Sequence, residues 1–154
     1  MREAPVPQSL ALIYLHVVFS TKNRVPFLQA HKLREETHAY LVGTFRNLDS
    51  PSIRVGGVED HVLCRLGKTW AVSDLVRELK RESSKWLKEQ SADLADFYWQ
   101  SGYGAFSVSP EHVNAVTAYI ANQESHHKSE TFQDEFRRIL VEYQVDYDER
   151  YVWD

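Results

Sequence analysis

Residues 55–69 read VGGVEDHVLCRLGKT, and the fold turns on how that stretch divides. "IRVGGV" and "HVLCRL" are short, apolar and β-branched, with glycines and the acidic pair Glu59–Asp60 between them. They predict two strands joined as a hairpin. Working outward, each strand is flanked by a segment of helical period. From about Gln29 to Arg46, Leu33, Thr37, Tyr40 and Leu41 share one face. Downstream, Ser73 and Asp74 are candidate N-caps for a stronger helix that runs to about Gln90. Its apolar stripe is Leu75, Val76, Leu79, Trp86 and Leu87. Outside these helices lie two more strand patterns, "LALIYLHVVFS" at 10–20 and "YGAFSVS" at 103–109. The order β-α-β-β-α-β predicts an α+β fold: a ferredoxin-like antiparallel sheet with helices on one face, plus C-terminal helices. Those last helices are expected from Ser109-Pro110-Glu111 through "HVNAVTAYIANQESHH", and over "TFQDEFRRILVEY". The tail, "QVDYDERYVWD", is expected to pack back onto the domain.

A chain of 154 residues suits one domain. Its core is expected at about 9–127, with a C-terminal helix and tail at 128–154. The longest apolar run, Leu10 to Phe19, contains His16 and is too short to span a bilayer. No signal-peptide pattern opens the chain, so the cytoplasm is the expected compartment. The single cysteine, Cys64, excludes an internal disulfide and a cysteine-based zinc site. A net charge of −4 argues against coating nucleic acid through bulk positive charge, but not against a local basic stripe.

Such a stripe is present. Arg77, Lys80, Arg81, Lys85 and Lys88 recur at helical spacing opposite the apolar face, with Glu78, Glu82 and Glu89 interspersed. The face either tracks a phosphate backbone or is simply solvated. Lys22 and Arg24, in the turn "TKNRVPF", add positive charge at the end of the first strand.

Tyr119 and Gln123, four apart on a helix, project from one face. A phenol with a pKa of about 10 is a poor nucleophile at neutral pH unless something assists it. A divalent cation beside it would assist, and a glutamine carbonyl with a strand histidine suits magnesium or manganese. The bland alternative is that Tyr119 packs in the core and Gln123 caps a surface turn.

The segments "STKNR", "GGVEDHV", "VSDLVRELKRESSKW", "WQSGYGAFSVSP" and "YIANQESHH" together resemble the HUH single-tyrosine transposases. These are the insertion-sequence enzymes and their relatives associated with repetitive extragenic palindromes (REPs). The likeness runs from "YLHVVFSTKNR" to "YDERYVW", nearly the whole chain. It implies a ferredoxin-like homodimer that carries out DNA transposition by nicking and joining hairpin-flanked single-stranded DNA. Tyr119 matches the nucleophile of such enzymes, which forms a 5′-phosphotyrosine intermediate. Gln123 matches the helix-borne metal ligand, and His61 the first histidine of a histidine–hydrophobic–histidine strand. The second histidine is expected where Leu63 stands, as though two residues were missing from the strand. Leucine offers a metal no lone pair, so the resemblance also admits a catalytically impaired hairpin-binding module.

Other histidines are weaker candidates. His16 lies on the neighbouring first strand and is either a substitute ligand or a hydrogen-bonded structural residue. His126 and His127 suit phosphate contact or solvent; His31, His38 and His112 read as surface residues. "GYGAFSV" superficially resembles the base-stacking strand of an RNA-recognition motif. Ala105 breaks the spacing and the segment follows the wrong helix, so Tyr103 and Phe106 are expected to serve strand packing.

Overall fold

In the computed structural model, which describes residues 7–28, 30–57, 60–123 and 130–154, the apolar run at 10–20 yields β1 (Tyr14–Phe19). The hairpin predicted from residues 53–66 is β2 (Ser52–Gly56) and β3 (Asp60–Arg65); its tip lies outside the described residues. With β4 (Gly104–Val108), these make a four-stranded sheet in the order β2-β3-β1-β4. Every pairing is antiparallel, as the ferredoxin-like order requires. β1 and β3 pair without interruption from Tyr14↔Arg65 to Phe19↔Asp60. The irregularity in this part of the sheet falls in β2, between Ser52 and Arg54. The β1–β3 ladder is thus continuous through Leu63, as it would also be after the loss of two residues, which keeps the alternation.

The period of two divides β1 cleanly. Leu15, Val17 and Phe19 enter an apolar core with Val62 and Cys64 of β3. That core is closed by α1 (His31–Asn47), through Leu41 and Phe45, and by α2 (Val72–Gln90), through Leu75, Val76, Leu79 and Leu87. On α1, Thr44 and Phe45 join Thr37 and Leu41 as the buried residues, while Leu33 and Tyr40 are only partly buried. Tyr40 stacks on Trp86 at 4.8 Å, tying the two helices together. The expected caps of α2 are displaced. The helix begins at Val72 after Ala71, which caps with no side chain, so Ser73 and Asp74 sit in the first turn. There the Asp74 charge favours the positive end of the helix dipole.

The C-terminal helices cover the opposite face of the sheet. Pro110–His112 form a 3-10 turn leading into α3 (Val113–Ala121), and α4 spans Phe132–Glu142. Thr131 caps α4, its hydroxyl accepting the Asp134 amide at 3.2 Å. Phe132, Phe136, Ile139 and Leu140 of α4 pack on Val18 and Phe106. The tail returns as expected: Trp153 lies 6.0 Å from Phe136, and the Asp154 carbonyl accepts the Gly102 amide at 2.7 Å. No helix among the described residues is long and apolar enough to cross a membrane.

Candidate catalytic site around Tyr119

The two glycines of the opening stretch have separate tasks. Gly57 adopts a φ of 95°, a left-handed turn conformation that side chains resist. Gly56 pairs with His61 and leaves room for α3: a Cβ there would lie 2.9 Å from Ile120 Cγ2 and 3.1 Å from the Ile120 carbonyl. This close approach presses the end of α3, with Tyr119 and then Gln123, against the strand that carries His61.

His61 is fully buried, and its two ring nitrogens meet different partners. Nδ1 meets Nε2 of His16, itself buried, at 3.1 Å. Nε2 lies 2.9 Å from Oε1 of the buried Glu135, a close contact without hydrogen-bond alignment. The Tyr119 hydroxyl donates a short hydrogen bond to the other oxygen of Glu135, and accepts one from Arg138 Nη2 at 2.8 Å. Arg138 is in turn paired with Glu130 at 2.9 Å. Gln123 is buried rather than on a surface turn, and its amide nitrogen donates to the Tyr119 carbonyl at 3.4 Å. The result is a chain, His16–His61–Glu135–Tyr119–Arg138, threaded between sheet and helices.

Its electrostatics follow from burial. The His16 ring is pushed down to about 3, first by loss of solvent and then by His61, so it is neutral at physiological pH. The Tyr119 phenol is pushed up to about 12, first by burial, then by its hydrogen bond to Glu135 and by that carboxylate's charge. Gln123 and Arg138 pull it the other way. Arg138 is held above its ordinary value, chiefly by its hydrogen bond to Glu130.

Leu63 is fully buried opposite His16 and packs with Val108 and Ile120. The position expected to bear a ligand is a core contact. Of the ligands the resemblance implies, His61 and Gln123 are both buried beside Tyr119, and Leu63 supplies no donor. His16 and Glu135 engage different nitrogens of the one His61 ring. The second Glu135 oxygen is taken up by Tyr119. Among the described residues, no three His, Cys, Asp or Glu side chains are grouped as a metal-binding set.

Sequence reasoning missed Glu135 and Arg138. The signal was present: the buried positions of α4 are Phe132, Glu135, Phe136, Ile139 and Leu140, so a carboxylate occupies one turn of an otherwise apolar stripe. His31 and His112 are exposed, as expected; His31 lies 3.4 Å from Glu35 and His112 meets Ser109 at 2.6 Å. His126 and His127 lie outside the described residues.

The expected basic face is mixed. Arg77 and Arg81 are exposed and lean on Asp74 and Glu78, and Lys85 is exposed. Lys88 stands 4.1 Å over the Tyr98 ring and Lys22 5.9 Å from it, so turn and helix meet there. Arg24 ends the 3-10 turn Lys22–Arg24. The Lys80 ammonium donates to the carbonyls of Gln100 and Gly102 at 2.8 and 2.7 Å and is half-buried, so it fastens a loop.

A family profile described as "Transposase IS200 like" matches residues 9–123. This chain belongs to the IS200-like transposase family. No curated protein matches it. Among solved structures, a proposed transposase of Deinococcus radiodurans superposes with a TM-score of 0.59 at 16% identity, covering 80% of this chain and 98% of that one. A REP-associated tyrosine transposase bound to a REP hairpin gives 0.56 at 15% identity, covering 96% of this chain and 93% of that one. At these identities the likeness concerns the fold. The family match stops at Gln123, so α4, which brings Glu135 and Arg138 to Tyr119, lies beyond it.

Proposed function

We propose that this transposase-family chain binds hairpin-flanked single-stranded DNA and cuts it through Tyr119. The observation that carries the proposal is the setting of the Tyr119 hydroxyl, held between a buried carboxylate and a guanidinium. A half-buried phenol that served packing alone would need one hydrogen-bond partner, not a carboxylate and a guanidinium together. As the phenolic oxygen bonds to the scissile phosphorus, Glu135 takes its proton. The bond from phosphorus to the 3′ oxygen breaks, and water protonates that oxygen. The products are a 5′-phosphotyrosine link and a free 3′-hydroxyl, and reversal of the step joins strands. Arg138, already on the hydroxyl, is placed to offset phosphate charge. The DNA substrate is inferred from the family, and from the REP hairpin bound by the similarly folded relative. The chain would act in the cytoplasm as a homodimer, which light scattering at micromolar concentration would test.

The family resemblance favours magnesium or manganese assisting Tyr119 from His61 and Gln123. The donor geometry favours Glu135 as the assisting group. Leu63 supports a second reading, a hairpin-binding module whose chemistry is impaired.

A denaturing gel separates the two. A hairpin with a labelled downstream strand should form a covalent adduct with the wild-type protein and none with Tyr119→Phe. Glu135→Gln should bind equally well and cut roughly 100-fold more slowly. Hairpin binding with no adduct, with manganese or with chelator, would establish the second reading.

A further inference from the structure

α2 and the segment 98–103 enclose a cavity of about 380 Å³ that the chemistry at Tyr119 does not use. Val76, Trp99, Tyr98 and Tyr103 give it an apolar and aromatic lining. Arg77, Lys80 and Arg81 also line it, and among the described residues lining it none carries a carboxylate. Tyr103 was expected to pack in the sheet with Phe106. Instead Phe106 is buried, whereas Tyr103 is 37% exposed and faces this cavity. Lys80 stands 5.6 Å from the Tyr103 ring and fastens the Gln100–Gly102 backbone, so the aromatic wall is held in place before any ligand arrives. At the rim the two arginines are two-thirds exposed; Arg77 leans on the half-exposed Asp74 and Arg81 on the more deeply set Glu78, and both keep guanidinium surface open to the cavity mouth.

We infer that this cavity receives one unpaired nucleotide of the DNA, its base against Tyr103 and its phosphate on Arg77 and Arg81. An aromatic wall with guanidinium groups at the rim is the chemistry that holds single-stranded nucleotides without reading a sequence. The cavity lies near the end of β1 that carries Val18. Val18 pairs with His61 on the Tyr119 face, while the next residue, Phe19, is buried on the opposite face with the ammonium of the cavity-lining Lys80 5.5 Å from its ring.

The inference rests on the DNA-binding reading above, and one experiment distinguishes their failures. Anisotropy would compare a blunt hairpin with the same hairpin extended by a few unpaired nucleotides at either end, one of them 2-aminopurine. Wild-type protein should prefer an extended hairpin by about tenfold and quench the 2-aminopurine, as one stacked base would. Tyr103→Ala should lose both effects and keep its affinity for the blunt hairpin, and Tyr103→Phe should retain both. Equal affinity of the wild type for blunt and extended hairpins overturns the cavity assignment alone, as does an equal loss on both hairpins in Tyr103→Ala. Binding to neither hairpin overturns the DNA reading as well.

Discussion

The two faces of β1 are built on different principles. Leu15, Val17 and Phe19 enter a core whose other members are almost all hydrocarbon, closed by α1 and α2. One residue out of step, His16 and Val18 face α3 and α4, where His61, Gln123 and Glu135 are buried together with Leu63 and Phe106. The first face holds the fold through non-directional burial, and tolerates any side chain of suitable size. The second buries polar groups that must each find a partner, a costly arrangement whose stability depends on geometry. The contrast sets stability on one face and, on the function proposed above, chemistry on the other.

The largest expected effect separates these roles. Leu79→Ala opens a cavity in the apolar face and should cost about 2–5 kcal/mol in urea unfolding, with DNA cutting per folded molecule unchanged. A loss of cutting comparable to that of Tyr119→Phe would show that the faces are not independent. Next comes Leu63→His, the obvious repair of the missing ligand. The imidazole would enter a site sealed by Val108 and Ile120, opposite a His16 already committed to His61. It should lower stability by roughly 1–3 kcal/mol without raising manganese-dependent adduct formation. Inserting histidine and valine after Val62 should do worse, because the β1–β3 ladder is continuous and has no bulge to absorb them. Faster cutting by either variant would restore the metal site. Gly56→Ala should cost about 1–2 kcal/mol, since its methyl group meets the Ile120 backbone and shifts Tyr119 relative to His61.

What the sequence revealed divides along the same line. The stripe Leu75, Val76, Leu79, Trp86 and Leu87 was legible because burial of apolar side chains follows the helical period; the structure buries all but Trp86, which is partly buried. So was the strand order, through alternation and the glycine turn. His61, Tyr119 and Gln123 were picked out by resemblance, and the fold brings them close to one another. The interaction of Glu135 with His61 was not legible. It joins residues 74 positions apart through a helix beyond the family match, and no local period encodes that contact. Leu63 was legible only as the place of an expected histidine; that its side chain packs with Val108 and Ile120 opposite His16 needed the three-dimensional register.

The smallest effect tests the contact that joins Tyr119 to α4. The Tyr119 phenol is raised from 10.0 to about 12, so its proton is held more tightly in the folded chain than in the unfolded one. Below pH 10 both states keep the proton, and the contribution of this contact to stability is complete. As pH rises from 10 toward 12 the unfolded chain releases its proton first, and the contribution is lost. Denaturation midpoints between pH 9 and about 11 should therefore fall more steeply for wild type than for Tyr119→Phe. Glu135→Gln should lie between the two, because it removes the carboxylate charge but leaves burial, the first cause of the shift, in place. Identical slopes in wild type and Tyr119→Phe would mean that the phenol titrates as it does in water. Glu135 would then not hold the Tyr119 hydroxyl, and the polar face would lose the connection that sets it apart from the apolar one.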